Sequence, residues 1–345
     1  MLLHRAVNLA AAIASGLLVI GCGGGGAGGA DSRSPSDTAG STDGTGASDG
    51  RGGWSRDWTN YPAVYSATGA NTLWAVSDVH GDRDRLVALL VGAGLVGGTA
   101  IAPTWQAGTD TLVVNGDNID KGSQSIEVLD YWLALIPLAS AAGGHVVVLL
   151  GNHEVEFLAD PNNSKAAALD AELTAETPQM FADPSDPHGR FLHERPISAL
   201  VDGWFFSHAG NPQGMSLTQI ATKFRSLVDA AAFGDAFFLD PNSIIEARNW
   251  WPSSGTASFL DGYLAALPAS HIVFGHSPPT FASPPSGNIE MHFAGRLTLI
   301  DVGMSSAVND SRGKLLRVSQ PGTASETATM IGPSGQATAL NLTAP

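Results

Sequence analysis

Short apolar runs alternate with longer amphipathic stretches along most of the chain. Short runs rich in branched aliphatic residues are typical of buried strands. Runs of this kind fall at 72–76, 111–115, 145–150, 271–274, 296–300 and 314–318. Residues 197–207 predict two further strands joined at Asp202-Gly203.

Apolar residues at helical spacing lie between several of these strands. They predict helices at 85–95, 123–142 and 217–232. Residues 154–196 look like a mixed insertion, with a helical part at 165–173 and a Pro/Asp-rich loop at 183–189. The alternation of strands and helices predicts an α/β layered domain.

The first 22 residues predict an export signal. The apolar run at 6–20 is shorter than the ~20 residues that a membrane span needs. The stretch from Val19 to Cys22 resembles a bacterial lipobox, and Cys22 is the only cysteine of the chain. The alternative is an ordinary signal peptide that contains a cysteine. We therefore expect an exported lipoprotein of the cell envelope, on its periplasmic or outer face, held to the membrane only by lipid on Cys22.

Residues 23–53 contain Gly, Ser, Ala, Thr and Asp with almost no large apolar side chain. Such a segment buries too little surface to offset the entropy of ordering it, so it predicts a flexible tether. An ordered domain is expected from 54 to 345.

Charge and composition limit the chemistry. The formal net charge is −15, which opposes binding to nucleic acid and repels phosphorylated substrates at long range. A phosphate site must therefore gain positive charge locally, and divalent metal ions supply it. A single cysteine excludes a cysteine-rich zinc site, so the ligands must be His, Asp, Glu or Asn.

Polar side chains follow five of the predicted strands, where binding sites form in α/β sheets. They are Asp78 and His80, Asp117, Asn152, His208, and His276. Each motif alone is weak evidence, because a chance Asp-x-His pair, a turn with a capping Asn or a strand-end histidine gives the same residues. Together, these carboxylate, imidazole and amide groups suit hard or borderline divalent ions.

The spacing of these residues predicts two ions. Asp78 and His80 would hold the first ion, and Asp117 would bridge both. Asn152, His208 and His276 would complete the second ion. Two such ions clamp a phosphoryl group and turn a water between them into hydroxide, which is a design for phosphate ester hydrolysis.

These loops resemble the calcineurin-like metallophosphoesterase superfamily. The stretch Gly116-Asp117-Asn118-Ile119-Asp120-Lys121-Gly122 is similar to the phosphoprotein phosphatase branch, and residues 299–305 resemble the bacterial Shewanella-like protein phosphatases. The resemblance covers about residues 72–320. It implies an α-β-β-α sandwich of two mixed sheets flanked by helices.

The resemblance also implies roles for other residues. His153 would be the general acid, and Asp120 would favour its protonated form. Lys121 and Asn152 would bind the substrate phosphate. Lys121 stands where the family usually has Arg. It therefore offers the phosphate a point charge in place of two parallel hydrogen bonds. Pro278 replaces a histidine found in many relatives, which leaves the first ion to be completed by water.

A second phosphate-binding cation is expected, and Arg248 is the first candidate. Packing of Arg248 on the neighbouring Trp250 and Trp251 is the competing interpretation. Arg195 and Arg225 are the alternatives.

The leading hypothesis is a two-metal phosphoesterase that hydrolyses phosphomonoesters, including a protein serine/threonine or tyrosine phosphatase. A diadenosine tetraphosphatase-like enzyme or a nucleotide pyrophosphohydrolase is the nearest alternative. A non-catalytic metal-binding lipoprotein is the alternative from another class. The donors suit Mn, Fe or Zn ions without deciding among them.

Overall fold

The structure, a computed structural model, describes residues 54–251, 258–277 and 287–342. The expectations about the signal peptide at 1–22, Cys22, the tether at 23–53 and Pro278 concern residues outside these ranges. The described residues lie in one unit of the chain, residues 47–345. No helix among them is long and apolar enough to cross a membrane.

Most strands of the described region belong to two mixed sheets. The strands are β1 (Val64–Ala67), β2 (Thr72–Val76), β3 (Val96–Thr99), β4 (Ala102–Trp105), β5 (Thr111–Val114), β6 (His145–Val148), β7 (Ser198–Val201), β8 (Trp204–Ser207), β9 (His271–Phe274), β10 (Glu290–His292), β11 (Leu297–Leu299), β12 (Leu315–Ser319), β13 (Thr327–Ile331) and β14 (Ala337–Leu340). The first sheet has the order β14-β13-β12-β2-β5-β6, and the second has the order β1-β7-β8-β9-β11-β10. β3 and β4 form a separate hairpin.

Helices connect and cover these strands. They are α1 (Arg83–Gly92), α2 (Ser125–Ala141), α3 (Asn152–Ala159), α4 (Ala167–Glu172), α5 (Pro178–Ala182), α6 (Pro187–His193), α7 (Leu217–Asp229), α8 (Ala236–Leu239) and α9 (Phe259–Ala266), with a short 3-10 helix at Ser164–Ala166. The segment 154–196 therefore starts inside α3 and contains the elements up to α6.

Apolar side chains form three layers of core. Consecutive residues of β5 show the arrangement, because successive side chains of a strand point to opposite faces. Leu112 and Val114 pack with α1 and α2, whereas Val113 packs against the second sheet through a core that includes Phe206. A third core lies under α7 on the outer face of the second sheet. The expected α-β-β-α sandwich is confirmed.

Local capping explains where the predicted elements were wrong. α1 begins two residues earlier than expected because the side chain of Asp82 accepts a hydrogen bond from the Arg85 amide. The predicted loop at 183–189 is wrong at its end, where α6 begins. Asp186 accepts from the amides of His188 and Gly189, and Pro187 suits the first helical position.

One buried arginine ties the N-terminal end of the described region to α6. Arg56 is 5% exposed, and its guanidinium donates to four backbone carbonyls. The acceptors are the oxygens of Tyr61, Pro62, His193 and Arg195, at 2.9, 3.0, 2.8 and 3.0 Å. These bonds hold the segment before β1 against the end of α6.

We expect Arg56→Met to lower the free energy of unfolding by about 3 kcal/mol or more, because buried carbonyls would lose their donors. Urea unfolding followed by tryptophan fluorescence measures this change. Arg83→Met is the control, since Arg83 pairs with the exposed side chain of Asp84. The control should change stability by less than about 0.5 kcal/mol. Equal losses in the two variants would contradict the proposed tie.

Candidate metal centre

Loops from both sheets bring the predicted ligands together. In chain order the ligands follow β2, β5, β6, β8 and β9: Asp78 and His80, Asp117, Asn152, His208, and His276. Each of the six side chains is at most 3% exposed. The first sheet supplies four of them and the second supplies two. The centre therefore lies where the carboxyl ends of strands from the two sheets meet.

The backbone turns sharply at these strand ends. Asp78, His80, Asp117 and His276 have φ between 47° and 64°, in the left-handed region. Such conformations cost about 1–3 kcal/mol each in non-glycine residues and concentrate at functional sites. Gly151 provides the space beside them, because a Cβ there would lie 2.2 Å from Asp117 Oδ1.

Asp117 is the residue on which the centre converges. Its Oδ2 lies 3.2 Å from His208 Nε2 and 3.6 Å from His80 Nε2. It belongs to two groups of donor atoms that could each hold an ion. In each group the atoms lie within 4.8 Å of one another: His80, Asp117 and His153 in one, and Asp117, His208 and His276 in the other.

Asp78 lies beside His80, with which the sequence analysis pairs it. Its Oδ1 lies 3.9 Å from His80 Nε2, and its carboxylate accepts from Ser77 Oγ and from the amide of His276. His153 belongs to the group of donor atoms around His80, and Asp78 Oδ1 approaches the same His80 nitrogen.

Backbone carbonyls fix which imidazole nitrogen faces the centre. His208 Nδ1 donates to the oxygen of Asn115 at 2.9 Å, which leaves Nε2 for the centre and for Asn152 Oδ1 at 3.2 Å. His276 Nε2 lies 3.1 Å from the oxygen of Glu246, which leaves Nδ1. Hydrogen bonds of this kind orient metal-binding histidines.

Two buried carboxylates oppose each other's ionisation here. Burial raises the pKa of Asp78, although His208 opposes the shift, and the charge of Asp117 raises it further. Burial also favours a raised pKa for Asp117, but His208, His153 and His80 together hold the pKa of Asp117 well below its usual range.

The protonation states of the three imidazoles suit a site for cations. Burial lowers the pKa of His80 to about 3 and also lowers that of His276, so both rings are neutral, the form that binds metal. Burial opposes a proton on His208, but Asp117 and Asp78 raise its pKa to about 10. The proton on His208 offsets the negative charge of Asp117 and Asp78, and a bound cation at the same place would offset that charge as well. The residues therefore fit divalent ions.

Glu154 holds two of the loops together. Its buried carboxylate accepts from the amides of Asp117 at 2.9 Å, Asn118 at 2.6 Å and Gly151 at 2.7 Å. One side chain on α3 thus joins the loop after β5 to the loop after β6. Asp117 and Asn152 keep their separation because of this contact.

His153 and Asp120 form a buried pair beside Asp117. His153 Nδ1 lies 2.9 Å from Asp120 Oδ2, and the His153 amide donates to Asp117 Oδ1 at 3.1 Å. Burial opposes protonation of His153, but Asp117 and Asp120 raise its pKa. Lys121 follows with an exposed side chain and a φ of 61°.

Arg248 lies beside the centre, where its Nη1 is 3.4 Å from Ser277 Oγ, next to His276. It lines an open cleft with Glu156, Glu246 and Asn242. The two alternative arginines lie against aromatic rings instead. Arg195 is 4.2 Å from the ring centroid of Phe191, and Arg225 is 5.2 Å from that of Trp58.

Sequence reasoning missed Asp301. This side chain is 1% exposed, and burial followed by the charge of Asp78 raises its pKa well above the usual range. It accepts from the Gly303 amide at 2.8 Å. Asp301 lies within residues 299–305, the stretch that resembles the Shewanella-like phosphatases. The sequence alone could not assign it a role, because its position near Asp78 depends on the fold.

A buried carboxylate and imidazole centre at the strand ends of a two-sheet sandwich is an arrangement suited to a metal-dependent phosphoesterase. A sequence profile of the calcineurin-like phosphoesterase family matches residues 72–286, more than half of the chain. The chain belongs to this family, as its motifs predicted.

Similar proteins agree with this assignment. The crystal structure of the cold-active protein-tyrosine phosphatase of a psychrophilic Shewanella species shares the fold, with a TM-score of 0.64 and 22% identity over 81% of this chain and 82% of that chain. The symmetrical bis(5'-nucleosyl)-tetraphosphatase of Salmonella paratyphi C is 30% identical over 190 residues, 53% of this chain and 60% of that protein. Shewanella-like protein phosphatase 2 of Arabidopsis thaliana is 31% identical over 83 residues, 24% and 20% of the two chains. The chain thus spans less than two thirds of these curated relatives.

Metal removal should destabilise the protein, because a cation binds the assembled centre and not the unfolded chain. We expect Mn²⁺ at about a hundred times its dissociation constant to raise Tm by about 5 °C or more over the chelator-treated protein. Differential scanning calorimetry measures the shift. Asp117→Asn should abolish most of it, whereas Asp84→Asn on the surface of α1 should retain it. An unchanged Tm in the unmodified protein would contradict metal binding.

Proposed function

We propose that this chain hydrolyses phosphate monoesters with two divalent metal ions held by Asp78, His80, Asp117, Asn152, His208 and His276. The observation that carries this proposal is the shared position of Asp117 in two groups of buried donors. Such ions supply Lewis-acid polarisation of the phosphoryl group and a nucleophile generated from water at neutral pH. Mn, Fe and Zn all suit the donors.

His153 is the proposed donor of a proton to the leaving oxygen. Its Nδ1 is engaged by Asp120, so Nε2 is the nitrogen that can hold and deliver the proton. The raised pKa of His153 increases the protonated fraction near neutral pH, as a general acid requires. Asp120 thus orients the ring and stabilises its charged form.

Lys121, Arg248 and the amide of Asn152 are the proposed phosphate-binding groups. Both cations are exposed, in an otherwise strongly acidic chain, and Arg248 reaches Ser277 next to His276. They would attract the phosphate locally and orient it before reaction.

The substrate class has two candidates. A phosphoprotein or another phosphomonoester is favoured by the sequence of the loop after β5. A dinucleotide polyphosphate, or another nucleotide pyrophosphate, is favoured by the 30% identity with a bis(5'-nucleosyl)-tetraphosphatase. The non-catalytic alternative would require that the centre bind metal without turnover.

We also propose that the protein acts in the cell envelope and is anchored by lipid on Cys22. The lone cysteine in a lipobox-like stretch supports this. Cys22→Ala should move the protein from the membrane fraction to the soluble fraction, and unchanged membrane retention would count against acylation.

The leaving group provides a test of the role of His153. In His153→Ala, hydrolysis of phenyl phosphate should fall by about 10²–10⁴-fold, because its poor leaving group needs a proton. Hydrolysis of p-nitrophenyl phosphate should fall much less, since its leaving group departs as an anion. Steady-state kinetics measure both reactions, and bound metal should remain as in the unmodified protein. Equal losses on the two substrates would argue against proton donation.

A substrate panel distinguishes the candidate functions. Mn²⁺-loaded protein would be tested with p-nitrophenyl phosphate, its bis ester, phosphoserine and phosphotyrosine peptides, and diadenosine tetraphosphate. We expect metal-dependent cleavage of the monoesters, with at least about a 10³-fold loss in Asp117→Asn. Cleavage of the dinucleotide alone would favour the second candidate. Metal binding without any cleavage would favour the non-catalytic alternative.

A further inference from the structure

A second cavity, of about 530 Å³, lies beside strand β6, which ends the first sheet. The segment before β1, the strand β6 and the end of α6 line it. Its lining is mostly apolar and includes Leu133 and Ile136 of α2 and Phe191 of α6. The size and apolar character are those of ligand sites. None of the six proposed metal ligands lines this cavity.

The unpaired edge of β6, where Val146 and Val148 line the cavity at 8% and 1% exposure, is the first observation that indicates an occupant. The amides of His145 and Leu149 donate to Asp110 and Val114, toward β5. The peptide groups of Val146 and Val148 therefore point away from β5, to the side of the cavity. Within the described ranges, the N–H and C=O groups of these two residues on that side have no hydrogen-bond partner. Unpaired edges of this kind are templates for another strand.

The edge is closed at one end. The Leu150 amide, the next outward-facing donor along the chain, donates to the oxygen of Pro196 at 3.0 Å. A strand added beside Val146 and Val148 cannot continue past this point. A strand that runs parallel to β6, as β5 does, must therefore end next to Pro196 and its neighbour Arg195.

The charge of Arg195 is the second observation that indicates an occupant of the cavity. It lines the cavity, is 9% exposed, and has its guanidinium near the rings of Phe191 and Tyr61. Its Nε donates to the Phe191 oxygen at 2.9 Å, and among the described residues no carboxylate forms an ion pair with it. Burial lowers the pKa of Arg195 to about 10, although the charge of Glu194 opposes this shift, so the incompletely balanced charge favours an anionic ligand.

Local charge favours the same ligand. Arg190 and Arg195 line the cavity together with a single carboxyl group, that of Glu194. The chain as a whole carries a net charge of −15. The cavity is thus a local positive site, and an Arg guanidinium binds a carboxylate through paired hydrogen bonds.

We propose that this cavity binds the carboxyl-terminal segment of a partner polypeptide as an added strand of the first sheet. The peptide backbone pairs with Val146 and Val148, an apolar last side chain fills the space between Leu133 and Phe191, and the terminal carboxylate pairs with Arg195. Strand addition of this kind gives affinity through the backbone and specificity through the end group and side-chain pockets.

The test uses the full chain and fluorescein-labelled peptides Gly-Thr-Val-Thr-X, where X is Leu, Ile, Val or Phe. Each peptide is made as the free acid and as the carboxamide, and fluorescence polarisation gives Kd. At least one free acid should bind tenfold or more tightly than its amide. Arg195→Gln should remove that preference, whereas Arg312→Gln, which lies outside the cavity lining, should retain it.

A second variant and a second readout keep the test decisive. Val146→Pro removes an edge-facing N–H, a position at which an edge strand tolerates proline, and should weaken the free acid at least tenfold. Thermal unfolding shows whether each variant is folded. On binding, hydrogen exchange at the Val146 and Val148 amides should slow at least tenfold. Absence of binding, equal binding of acid and amide, or tight binding of N-acetylleucine without slower exchange would overturn the proposal.

Discussion

The structure depends on the burial of two carboxylates, Asp78 and Asp117, at one point where two sheets meet. Like charges in a water-poor site repel, and no lysine or arginine of the described region pairs with either group. The protonated ring of His208 offsets part of this charge, and the family implies divalent cations at this place. The left-handed turns, the glycine at 151 and the carboxylate of Glu154 all keep these two groups in place.

Much of this arrangement could be predicted from sequence. Strands that are buried on both faces leave continuous apolar runs, and the polar residues after them mark the edge where a site forms. Those two signals indicated an α/β layered domain and six candidate donors, which stay predictions as metal ligands, whereas the resemblance to the calcineurin-like superfamily implied the two-sheet sandwich. Helix ends were less predictable, because a single cap such as Asp82 or Asp186 decides them.

The rest depends on contacts between distant parts of the chain. Asp301 is near Asp78, and the Glu246 oxygen meets His276, although neither pair is close in sequence. Arg195 was considered as a phosphate ligand because its type is suitable, yet the structure places it among aromatic rings at a sheet edge. Residue type indicates what a side chain can bind, and only the packing shows what lies within its reach.

Arg56 has a mechanical consequence. A pulling force applied to the chain before residue 54 reaches this guanidinium before it reaches β1. Two of its hydrogen bonds, to the oxygens of His193 and Arg195, cross to the end of α6 and share such a load. Bonds loaded together resist extension better than bonds that open one after another. A protein attached to a surface by its N-terminal side would therefore keep β1 in register while the attachment point moves.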